Sequence, residues 1–103
     1  MENLEAIMGL IMNAGNAKSD AMEAIQAAKA GNFKEADEKL KSADQSLVQA
    51  HHSQTELLTK EANGESIDIT LLTVHSQDHL MTSITFVDLA RELIDVYKRL
   101  EEK

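Results

Sequence analysis

The sequence predicts an all-α fold, an antiparallel up-down-up bundle of three long helices. Three observations carry that expectation. The 103 residues include no proline and only four glycines. Alanine, leucine, glutamate, lysine and glutamine, the strongest helix formers, are abundant. Apolar residues recur at three- and four-residue spacing through most of the chain. Hydrophobic residues make up 43% and aromatics only 3%, so the core must be aliphatic and alanine-rich. A chain of this length builds one core, and residues 1–103 read as a single domain.

The first helix is marked by Leu4, Ile7, Ile11, Ala14, Ala21, Ile25 and Ala28, with Lys18 the only polar residue on that stripe. It stops at Gly31-Asn32, where Gly31 suits a left-handed C-terminal cap and Asn32 an N-cap for the next helix. Glu35, three residues on, completes a capping-box pattern. The second helix holds one seam through Phe33, Ala36, Leu40, Ala43, Leu47, Ala50, Gln54 and Leu57, and runs out in the turn signal Asn63-Gly64. Glu35-Lys39 and Asp37-Lys41 read as i,i+4 surface pairs. The polar stretch from Glu61 to about Asp68 is the one real loop, and of Ser66 and Asp68 the latter is the expected cap of the third helix.

The third helix is expected from about Ile69 to Leu100, with Leu72, His79, Phe86, Ala90, Leu93, Tyr97 and Leu100 along its main stripe. The two-residue link between the first two helices requires an antiparallel hairpin. Leu71, Leu89 and Val96 fall to one side of the main stripe, and Leu80, Val87 and Ile94 to the other. The apolar arc spans roughly 200°, about twice what one core-facing stripe needs. A homo-oligomer in which third helices pack together accounts for the excess, the alternative being a broad stripe in a tightly packed monomer.

Several function classes are excluded. The formal charge is −8 with no lysine/arginine cluster, which argues against nucleic acid as a partner. Without cysteine there is no disulfide, thiolate metal site or thiol nucleophile. No apolar run approaches a membrane span, and the N-terminus lacks a signal-peptide pattern, so a soluble cytoplasmic protein is expected. There is no glycine-rich phosphate loop and no serine nucleophile elbow.

The residues that stand out are Val74-His75-Ser76-Gln77-Asp78-His79-Leu80-Met81. His75, Asp78, His79 and Thr82, three and four apart, share one helical face, and that face lies within the apolar arc. Gln77 projects to the other side. Histidines in such a setting serve as nucleophile, acid/base or metal ligand, or form a satisfied packing pair. A zinc site is poorly supported: Ser76 stands where a zinc-protease helix has glutamate, and His51 or His52 would have to supply a third ligand. His51 and His52 themselves read as helix surface.

The run His75-Ser76-Gln77-Asp78-His79-Leu80-Met81-Thr82 resembles the signature of the lactose/cellobiose-type (including chitobiose-type) IIA components of the bacterial sugar phosphotransferase system. The resemblance extends to Gly9–Ser19, the hairpin at Gly31-Asn32 with the helix from Phe33, and Glu92–Leu100. It implies a homotrimer of nine helices in which His75 accepts a phosphoryl group. The implied donor is the histidine-containing phosphocarrier protein, and the implied acceptor is a cysteine of the cognate IIB component, linked in turn to the membrane IIC component. Asp78 matches the family aspartate that meets its symmetry mates around a divalent cation, usually magnesium, and no organic cofactor is implied. Gln77 and His79 match the motif as supporting residues. Ser76 departs from the alanine expected there, an exchange that leaves the assignment standing and offers an added hydrogen bond near the site. The alternative is a non-catalytic oligomeric helical adaptor that uses the same surface only for assembly.

Overall fold

The computed structural model describes residues 3–102, so the outermost residues of the expected 1–103 domain lie outside it. Three helices follow one another: α1 (Leu4–Lys29), α2 (Phe33–Ala62) and α3 (Leu71–Glu101). They form an antiparallel rod of 57 × 19 × 18 Å. α1 packs along both neighbours, whereas α2 and α3 meet less extensively.

The first turn forms as its residues dictate. Gly31 takes a φ of +85°, a conformation that favours glycine, and Asn32 Oδ1 accepts the Glu35 amide at 3.2 Å. Glu35 completes the box through its carboxylate, which accepts from the Asn32 side-chain amide at 3.0 Å. Gly64, at φ +89°, closes α2 in the same way. The start of α3 differs from expectation. Its cap is Thr70, whose Oγ1 accepts the Thr73 amide at 3.2 Å, and the helix begins two residues later than Ile69. Asp68 contributes its backbone carbonyl instead, accepting from Thr73 Oγ1 at 3.0 Å. A threonine hydroxyl beside the first turn thus takes the role expected of the carboxylate.

Alanine sets how closely the rods approach. Ala14, Ala17, Ala21, Ala24 and Ala28 of α1 face Ala36, Leu40, Ala43 and Ala50 of α2, all buried. Small side chains let two helix axes come close while the interior stays filled. On α1 the buried stripe is Ile7, Leu10, Ala14, Ala17, Ala21, Ala24 and Ala28, so Leu4 is exposed while Ile11 and Ile25 lie at its margin. The α2 seam falls where its heptad spacing puts it, with Phe33, Leu47 and Gln54 half-buried.

The larger correction concerns α3. Its buried residues are Thr73, Ser76, Leu80, Ser83, Val87, Ala90 and Ile94, an unbroken three-four alternation. Leu80, Val87 and Ile94, expected to flank the main stripe, are its centre. Leu72, His79, Phe86 and Tyr97 are half-buried, and Leu93 and Leu100 are exposed. Serine and threonine occupy core positions because their hydroxyls are satisfied locally. Ser76 Oγ donates to Thr73 O at 2.6 Å, and Ser83 Oγ lies 2.6 Å from His79 O and 3.0 Å from Ala14 O across the α1 interface. Among the described residues no buried side-chain polar atom lacks a partner.

Ion pairs also differ from the local pattern. Lys39 pairs with Glu23 of α1 at 2.8 Å rather than with Glu35, and Asp37 pairs with Lys98 of α3 at 3.1 Å rather than with Lys41. Arg91 grips both oxygens of Asp44 at 2.8 and 3.0 Å. These contacts lace the helices together at the surface, where each contributes little individually.

Candidate functional site

With Leu80, Val87 and Ile94 turned inward, a second seam lies on the opposite side of α3. It runs through Leu71, His75, Asp78, Thr82, Thr85, Leu89, Glu92, Val96 and Leu100, all exposed. Leu71 is 86% exposed, Leu89 63% and Val96 51%. The histidine cluster sits in the first half of this outer seam.

His75 Nδ1 lies 3.3 Å from Asp78 Oδ1, one turn up the helix, with both side chains more than half exposed. The contact is a charge-pair distance rather than an aligned hydrogen bond, and it places the carboxylate on the Nδ1 side of the ring. The His75 and His79 rings lie 5.4 Å apart, centroid to centroid, with planes tilted by 30°. His79 is half-buried against α1, where Gly15 brings the backbone so near that an added Cβ would touch His79 Nε2 at 3.4 Å. Burial, first, and then the charge of Lys18 and the proximity of His75 push the His79 pKa below the ordinary histidine value, with Asp78 opposing. His79 therefore favours the neutral form.

Leu71, Leu72, Val74, His75 and Asp78 line a shallow groove of about 550 Å³ at the N-terminal end of the seam. It is largely apolar, with the His75 ring at its edge. Thr82 Oγ1 donates back to Asp78 O at 2.9 Å and accepts from Lys18 Nζ at 3.1 Å. Lys18 and Gly15 are the two site residues that sequence reasoning did not place here. The available signal was Lys18 itself, the one charge interrupting the α1 stripe.

The cluster thus brings together His75, Asp78 and His79, but one chain does not bring Gln77 to them. Gln77 is half-buried on the α2 side, where its Oε1 accepts from Gln54 Nε2 at 2.8 Å. The Ser76 hydroxyl, bonded to its own helix in the core, does not reach His75 either. His51 and His52 are exposed on α2. Among the described residues no three histidine, aspartate or glutamate side chains converge on a point that could hold a metal. No helix of the described chain is long and apolar enough to cross a membrane.

Comparison with known proteins finds similarity over nearly the whole chain. The family model for the lactose/cellobiose-specific IIA subunit of the phosphotransferase system matches residues 5–98. The lichenan-specific phosphotransferase enzyme IIA component of Bacillus subtilis is 48% identical over 99 residues, covering 96% of this chain and 90% of its own. The crystal structure of a cellobiose-specific enzyme IIA from Bacillus anthracis superposes with a TM-score of 0.97 at 50% identity, covering 100% of this chain and 94% of that one. The IIA component in a solution structure of the chitobiose IIA–HPr complex of Escherichia coli gives a TM-score of 0.84 at 38% identity, with 98% of each chain covered. The chain belongs to the lactose/cellobiose-specific IIA family of the bacterial phosphotransferase system.

Proposed function

We propose that this chain is a phosphoryl carrier in disaccharide uptake, with Nε2 of His75 as the acceptor. The observation that carries the reading is the His75–Asp78 pair at 3.3 Å on an exposed helix face. With the imidazole proton on Nδ1, the nitrogen that faces Asp78, the lone pair of Nε2 is the one offered to an incoming phosphorus. The Nε2 lone pair forms a new P–N bond while the P–N bond of the donor breaks, and the donor imidazole takes back that electron pair. In the onward step a cysteine thiolate of the IIB component attacks the same phosphorus and the His75 P–N bond breaks. Because the phosphoryl group arrives already activated, the chain's own task is positioning.

Asp78 steadies the imidazole as positive charge develops on the phosphorylated ring. The apolar groove of Leu71, Leu72 and Val74 gives a partner a surface to close over the ring and exclude water. The histidine-containing phosphocarrier protein is the proposed donor, supported by the complex that the related chitobiose component forms with HPr. The relatives' names cover lichenan, cellobiose and chitobiose, consistent with sugar choice lying in the membrane IIC component rather than in this chain.

The outer seam of α3 supports assembly. A three-four row with Leu71, Leu89 and Val96 in water is what a second and third copy would bury, and the family trimer of nine helices fits it. Asp78 sits on that seam with its side chain more than half exposed. One chain offers a single carboxylate there, so a divalent cation would need the same residue from each copy. Oxygen-only ligation of that kind suits magnesium, which would neutralise the facing carboxylates.

The test is to incubate the protein with phosphoenolpyruvate, enzyme I and the histidine-containing phosphocarrier protein. One acid-labile phosphate per chain is expected, lost in His75→Ala. Labelling that survives in His75→Ala rejects the site, and sugar uptake that survives it supports a pure adaptor.

A further inference from the structure

Phosphorylation would place a dianionic group on His75, next to the Asp78 carboxylate, on a chain whose formal charge is already −8. Such a state calls for a nearby positive charge. Lys39, Lys60, Arg91 and Lys98 are engaged with Glu23, Glu56, Asp44 and Asp37, and Lys29, Lys34, Lys41 and Arg99 lie toward the other end of the rod, by the α1–α2 turn and the end of α3. Lys18 is different: its ammonium crosses from α1 to α3 and donates to a neutral hydroxyl, Thr82 Oγ1, at 3.1 Å. It is half-buried, and the Thr82 hydroxyl that it meets lies 3.3 Å from His79 O, on the residue whose ring lies 5.4 Å from the His75 ring.

We propose that Lys18 is the counter-charge of the phosphorylated state, a positioning residue that acts on the phosphoryl group of His75 from across His79. The proposal rests on His75 as the acceptor. In the resting chain Thr82 holds the ammonium without neutralising it, so the charge remains available. Thr82 is seven residues from His75, about 10 Å along the helix, and a lysine side chain can shorten that span by several ångströms. One positive charge facing a dianion at about 8–10 Å, near a solvated surface, favours the phosphorylated form by about five- to tenfold. The effect weakens as salt shortens the Debye length below that distance.

A clamp and a counter-charge predict different things. If Lys18 only ties α1 to α3, Thr82→Val removes the same bond and must do the same damage. If Lys18 acts as a charge, Thr82→Val leaves its effect in place. The measurement is the equilibrium between the phosphorylated donor and this protein, read as phosphohistidine by ³¹P NMR, so that rates of docking do not enter. Lys18→Met is expected to shift that equilibrium about five- to tenfold toward the donor at low salt, with the deficit shrinking near 0.5–1 M salt. Lys18→Arg and Thr82→Val are expected to stay near the parent value. Should Lys18→Met fail to fold, Lys18→Gln makes the same comparison. An unchanged equilibrium in Lys18→Met, or an equal loss in Thr82→Val, overturns the proposal. A parent protein that takes no phosphate, or a His75→Ala variant that does, overturns the acceptor reading and this one with it.

Discussion

Leu80 and Leu89 are both leucines on α3, yet truncating them should damage different things. Leu80 is 0% exposed and Leu89 63% exposed in the single chain. Leu80→Ala opens a cavity in the core and should cost about 2–5 kcal/mol of folding stability, lowering Tm by at least about 10 °C. Leu89→Ala removes about three carbons, worth roughly 2.4 kcal/mol on full transfer from water. Only the area still exposed in the single chain, 63%, is left for another copy to bury, giving about 1.5 kcal/mol per chain. Three copies lose about 4.5 kcal/mol, so the trimer association constant should fall by about three decades. Sedimentation equilibrium from micromolar to several hundred micromolar reads this as dissociation of Leu89→Ala under conditions where the parent stays associated. Tm alone is a poor judge, because loss of association also lowers apparent stability by mass action. A Leu89→Ala protein with the parent's mass distribution, or a parent that is monomeric throughout, refutes the assembly reasoning.

The depressed pKa of His79 gives a pH prediction. Its folded value lies below the ordinary 6.5, so on acidification the unfolded chain binds the proton first. The stability due to His79 is complete above about pH 6.5 and is lost as pH falls through the folded value. NMR titration should place the His79 midpoint below 6.5, and Lys18→Met should raise it only in part, since burial is the larger cause. A midpoint at or above 6.5 contradicts the packing described for α1. Chelating divalent cations should weaken association of the parent, because three facing carboxylates would then repel. Asp78→Asn should associate equally with and without chelator, and a chelator effect that persists in that variant excludes Asp78 as the ligand.

Both interhelical turns were legible because Gly31 and Gly64 adopt backbone conformations that favour glycine, and Asn32 caps as its side chain permits. The α2 seam was equally clear, since its outward face is polar and charged. The rotation of α3 was not. Apolar side chains occur nearly all round that helix, and hydropathy drew the stripe through Leu72, Phe86 and Leu93, between the two true seams. The residues that mark the inner seam are Thr73, Ser76 and Ser83, which a hydropathy argument assigns to water. Their hydroxyls bond to carbonyls of their own helix, of Asp68 just before it and of Ala14 on α1, which makes them acceptable in a core. The cluster from His75 to Thr82 was visible because local helical spacing decides it. Lys18 was hidden because its place beside Thr82 depends on how α1 lies against α3, which no local pattern encodes.

The double seam of α3 also sets where this protein can change. In the proposed assembly, most of the α3 circumference would carry an obligation, inward to α1 and α2 or outward to its counterparts. The outer face of α2 has none of that burden: Gln45, Gln49, His52 and Glu56 are exposed, away from the buried stripe of that helix. Labels, cross-linkers, immobilisation tags and sequence drift should be absorbed there. On α3, given that assembly, even a conservative exchange would have two interfaces to satisfy at once.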